Sequence, residues 1–223
     1  MSVHRRTVNV MTLTVNRRWN ALERRTGSAF TLAGVLILAS LVVPAGIEAL
    51  TDWSWVFGVV LVGLAVVAVS VGLFGLYPNV HDRSPVLATA GAGAAAVAGA
   101  AAVGLIALVA VALGSELVLG RTVAEPMGVF GFLGISMAAG FSVGLLLFGI
   151  AGWQTGIPSQ TVSGLLIAGG VALLAPVGTE LLSVAFGVTT PAWLLFPAIG
   201  VVALTTLAIG YSLRVQKESR IGV

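Results

Sequence analysis

The chain has 223 residues, of which 58% are hydrophobic and 9% charged, with a formal net charge of +3, two histidines and no cysteine. That balance lies far outside the soluble globular range of roughly 45–50% apolar and about 25% charged, so the chain reads as one all-α membrane domain with no second soluble domain. The absence of cysteine excludes disulfides, thiolate metal sites, iron–sulfur clusters and cysteine nucleophiles, and the positive charge, carried on segments flanking the apolar runs, reports orientation and not nucleic acid.

Residues 1–25 form a basic arm with Arg5, Arg6, Arg17, Arg18, Arg24 and Arg25. Val8, Met11, Val15, Trp19 and Leu22 recur at spacings of three and four, one stripe of a helix. One reading is an amphipathic helix on the anionic cytoplasmic leaflet, with Arg17, Arg18, Trp19, Arg24 and Arg25 as its membrane-surface residues. The other is a partly disordered arm that only enforces the positive-inside rule. Met11 is an alternative start. An export signal does not fit, because the run from Ala29 to Ile47 exceeds the roughly 7–15 residues of a signal core and further spans follow.

Six apolar runs make up the domain 26–213: Ala29 to Leu50, Ser54 to Tyr77, Val86 to Gly114, Met127 to Trp153, Thr161 to Phe186 and Ala192 to Leu213. Each meets the roughly 20 residues needed to cross a bilayer. A tail, 214–223, follows. Ten of the eleven Lys and Arg side chains fall on the side of the termini and Arg121 alone on the other, so both termini are expected to be cytoplasmic in a multi-pass protein of the cell membrane. Trp53, Trp55 and Trp193 sit at expected outer interfaces, and Tyr77, Trp153 and Tyr211 at inner ones. Pro85, Pro126, Pro158 and Pro191 stand at span starts, whereas Pro44, Pro176 and Pro197 lie within spans and are expected to bend them.

The third span carries an unbroken stripe of small residues at spacing four: Ala88, Ala92, Ala96, Ala100 and Gly104. Small residues let backbones touch, which is how helices associate in lipid. The stripe predicts that this span is the buried centre of the bundle, with a lipid-facing dimer seam as the second reading.

Pro44-Ala45-Gly46-Ile47-Glu48 returns as Pro176-Val177-Gly178-Thr179-Glu180, an offset of 132, and Gly114-Ser115-Glu116 ends the third run in shortened form. Ser70-Val71-Gly72-Leu73 recurs as Ser142-Val143-Gly144-Leu145. These matches suggest three parallel two-helix hairpins about an axis normal to the membrane, with Glu48, Glu116 and Glu180 at the outer face. Rings of carboxylates select cations; the plainer reading is three ordinary interfacial carboxylates, since a charge at a span's end costs far less than the roughly 2.5–3.5 kcal/mol of one at mid-bilayer.

Other chemistry finds few candidates. His4 lies in the arm and His81 in a loop, so neither suits haem or zinc. The expected spans hold no His, Lys or Asp to activate Ser142 or Ser163, which read as packing residues. No P-loop occurs. Asp82 and Arg83 are expected to pair within a turn between Pro78 and Pro85. No cofactor is expected and no enzyme activity. The expected role is a non-enzymatic accessory or scaffold subunit, with the lipid bilayer and a membrane-protein partner or second copy as its associates; the alternative is a small-solute or cation transporter. Deleting residues 2–22 is expected to weaken binding to anionic vesicles in a flotation assay while the bundle still folds, and an inert deletion would reduce the arm to a topology signal.

Overall fold

In hydrocarbon a chain must satisfy its own backbone N–H and C=O groups, which an α-helix does within one segment. The computed structural model describes residues 25–44, 54–119, 127–186 and 195–221, and all but two short connections are helical. The helices are α1 (Arg25–Pro44), α2 (Ser54–His81), α3 (Pro85–Leu119), α4 (Met127–Thr155), α5 (Gln160–Phe186) and α6 (Leu195–Ile221). All six are long and apolar enough to cross a membrane. Leu32, Val86, Val103, Val111, Phe132 and Leu204 are each more than half exposed, a surface suited to lipid.

Each helix packs on the next from α2 to α6, and α2 also reaches α4. The ring closes through α1. Phe30 of α1 covers Gly72 of α2, while Gly27 and Gly34 of α1 meet Gly210 and Leu207 of α6. Phe30, Leu73, Leu145, Phe148, Leu166 and Ile209 belong to one continuous core.

The even-numbered helices lie nearer the axis. In their most apolar stretches α2, α4 and α6 bury 44, 39 and 39% of residues, against 33, 28 and 28% for α1, α3 and α5. The expected centre of the bundle is therefore corrected: α3 sits on the rim between α2 and α4. Its spacing-four stripe starts buried at Ala88, is half-buried at Ala92 and Gly104, and is exposed at Ala96 and Ala100. The cause is helical geometry, because steps of four overshoot a turn by about 40° and carry the stripe around the helix. The face packed on the neighbours is Gly91, Ala95, Ala98, Ala102, Leu105 and Val109, at alternating spacings of four and three.

One boundary also moves. α2 continues through Pro78 to His81, whose ring lies 4.9 Å from that of Tyr77, so the expected turn shrinks to 82–84. Pro197 lies in α6, two residues after its first described residue, Leu195. Pro176 lies within α5, and Pro44 is the last described residue of α1.

Glycine decides how closely the helices approach. A Cβ added at Gly210 would lie 2.7 Å from Thr31 N and 2.8 Å from Gly27 O. At Gly93, on the lipid side of α3, it would meet nothing within 4 Å. Gly210→Ala is expected to destabilise the bundle by about 1–3 kcal/mol, and Gly93→Ala to be neutral or to gain up to about 1 kcal/mol from helix propensity. Thermal unfolding in detergent checks both, and equal behaviour of the two variants would contradict the seam.

Candidate functional site

Function in such a bundle must come from the groups that interrupt the apolar surface. Thr26, Ser70, Ser142, Ser163, Thr205 and Thr206 are buried, and no buried side-chain nitrogen or oxygen among the described residues lacks a hydrogen-bond partner.

Two of these hydroxyls join neighbouring helices. Ser70 Oγ of α2 donates to Ala95 O of α3 at 3.0 Å, and Ser142 Oγ of α4 donates to Gly170 O of α5 at 2.8 Å. Each sits where small residues bring two backbones together: Gly99 flanks Ser70, and a Cβ on Gly170 would lie 3.0 Å from Ser142 O. Ser163 Oγ and Thr206 Oγ1 donate within their own helices, to Ser159 O and to Val202 O. Ser70 and Ser142 thus join neighbouring helices, whereas Ser163, Thr205 and Thr206 bond locally; Ser142 and Ser163 are both buried and both donate hydrogen bonds.

The same backbone contacts recur at two seams. Gly149 of α4 faces Ile167 N and Ser163 O of α5, as Gly210 of α6 faces Thr31 N and Gly27 O of α1. Gly170 faces Leu146 and Ser142 O, as Gly34 faces Leu207 and Ala203 O. The even-helix partners differ by 61 residues throughout and the odd-helix partners by 136.

The three glutamates are distributed differently. Glu48 lies outside the described residues, as does the side chain of Glu180, although its backbone is part of α5. Glu116 is exposed near the end of α3. On α4, Gly144 faces Gly91 O and Ala95 N of α3 while Ser142 and Leu146, on either side of it, face Gly170 of α5, so Ala95 and Gly170 lie at similar heights; Glu116 follows the first by 21 residues and Glu180 the second by 10. At about 1.5 Å per residue, the two stand roughly 16 Å apart in height along their helices. Of the arm residues, Arg25 opens α1 and is exposed, while Arg17, Arg18, Trp19 and Arg24 lie outside the described residues.

At the end carrying the termini, polar contacts that the sequence did not single out tie the connections down. Arg83 Nη1 donates to Thr155 O at 3.2 Å, at the C-terminus of α4, where a cation suits the helix dipole; among the described residues it forms no ion pair with Asp82. Gly156, at φ 71°, takes the left-handed conformation that commonly ends a helix. Ser159 caps α5, accepting from Val162 N at 3.3 Å, and receives Gln216 Nε2 of α6 at 3.0 Å. The N-cap rule could have found Ser159; nothing in the sequence marks Gln216 as its partner.

No protein-family model matches the chain, and neither a curated protein nor a solved structure matches it. Ser142→Ala is expected to cost about 0.6 kcal/mol and at most about 1.7, the span measured for such bonds between membrane helices. Combined with Ser70→Ala, on a different seam, the losses should add; strongly non-additive thermal shifts would show that the two bonds belong to one network.

Proposed function

We propose that the chain is a non-enzymatic accessory or scaffold subunit of a complex in the cell membrane, built from three parallel two-helix hairpins with both termini cytoplasmic. The observation that carries this reading is the outer face of α3. Gly93, Ala96, Ala100, Val103, Ala107 and Ala110 are all exposed and alternate at spacings of three and four, the seam of a helix that accepts another helix at close range. Val97, Val103 and Val111 are exposed on or beside this strip and frame its small residues, so a partner helix would meet backbone between valine ridges.

The hairpin architecture draws support from the seams. Gly149 and Gly210 facing equivalent backbone atoms, and Gly170 and Gly34 facing equivalent leucines, are what a repeated unit produces. The contact shift of 136 between α1 and α5 differs by four residues, about one turn, from the Pro-x-Gly-x-Glu offset of 132. Against the transporter alternative stand the unequal heights of Glu116 and Glu180, which do not suit one ring, and the use of Ser70 and Ser142 in joining neighbouring helices.

Native mass spectrometry of the tagged protein, gently extracted from its own membrane, tests the proposal. A stoichiometric partner chain is expected, and Ala96→Leu with Ala100→Leu should release it while leaving the thermal transition in place. A chain that purifies alone would overturn the subunit reading and favour transport.

A further inference from the structure

Closure of the ring between α1 and α6 sets the first turn of α1, with Arg25, beside the final turns of α6, with Arg214, 189 positions later in the sequence. A Cβ on Gly27 would lie 3.2 Å from Gly210 O and 3.3 Å from Arg214 Cγ, so the start of α1 lies directly against the final turns of α6. Arg25 and Arg214 are both exposed, and neither has a hydrogen-bond or ion-pair partner among the described residues. Arg83 differs, being engaged with Thr155 O on the far side of the ring. The sequence adds Arg24 before α1 and Lys217 and Arg220 in the last turns of α6, with Glu23 and Glu218 among them, whereas the connection between α4 and α5 has no charged residue. The two stretches 23–25 and 214–220 thus carry five cations against two carboxylates, a net positive balance.

Below the cations the surface changes character in the order that a phospholipid does. Ser28 and Leu32 follow Arg25 along one exposed face of α1, and Tyr211 and Leu204 lie below Arg214 on α6, with Tyr211 71% exposed. Cations and hydroxyls suit a phosphate and glycerol; leucines about two to three turns deeper suit acyl chains.

We infer that the α1–α6 seam binds an anionic phospholipid, its phosphate held by Arg25 and Arg214 and its chains lying along Leu32 and Leu204. The inference rests on the membrane-spanning arrangement and not on the proposed partner, so a chain that purifies alone still tests it. A soluble anion would use the same cations without the apolar strip, and an acidic protein would need no lipid at all.

The full chain in detergent, titrated with dioleoyl phosphatidylglycerol or dioleoyl phosphatidylcholine and read by native mass spectrometry, separates these cases. Retention of phosphatidylglycerol over phosphatidylcholine is expected, weakened roughly 30-fold in Arg25→Gln with Arg214→Gln, from two cations at about 1 kcal/mol each. Arg83→Gln should retain it like the unaltered chain. Equal retention of both lipids, or an unweakened double variant, would overturn the site. Displacement of phosphatidylglycerol by inorganic phosphate would assign the cations to a soluble anion, and loss of a co-purifying acidic protein with unaltered lipid retention would assign them to that protein; both overturn the lipid site.

Discussion

Lipid tails offer a leucine nothing that another leucine does not, so helices in hydrocarbon are held by how closely their backbones can approach. In this bundle that constraint is met by glycine. Gly149, Gly170, Gly34 and Gly210 sit where a neighbouring backbone atom occupies the space a Cβ would take. Close approach also brings a hydroxyl within reach of a carbonyl on the next helix, as Ser142 reaches Gly170. The seams, the ring that they close and the core inside it follow from that spacing.

Packing is uneven along the helices. Towards the end carrying the termini, glycines of every helix abut a neighbour, and Phe30, Phe148, Leu166 and Ile209 are fully buried or nearly so. Towards the other end, Gly114, Gly128, Gly131 and Gly134 meet no described atom within 4 Å, and Phe132 is 69% exposed. Among the described residues, stability is expected to be concentrated in the first region.

The six spans were legible because length and apolarity alone determine them, and the described part of each expected run lies on one helix of the structure. The orientation of those spans about their axes was not. In α3 nearly every position is Ala, Gly, Val or Leu, so no polar residue marks a side, and a stripe drawn at spacing four crosses from the buried face to the exposed one. One helix end failed where proline was taken as a stop, since Pro78 continues inside α2. Of the candidate site, Ser142 and Ser163 were read as packing residues, but the bond from Ser142 to Gly170 depends on which helices are neighbours. The seam repeat of Gly149 and Gly210 was invisible for the same reason, since isolated glycines in so glycine-rich a chain carry no signal until their contacts are known.

Closure between α1 and α6 has a consequence for connectivity. In an open row of helices the first and last would each have a bare side, and the order of the chain would decide which elements were edges. Here the link that is missing covalently is present sterically, through Gly27, Gly34, Leu207 and Gly210. The order of neighbours around the ring would therefore survive joining α6 to α1 and cutting the connection of Asp82, Arg83 and Ser84, so the arrangement belongs to a circular permutation class and not to one linear order.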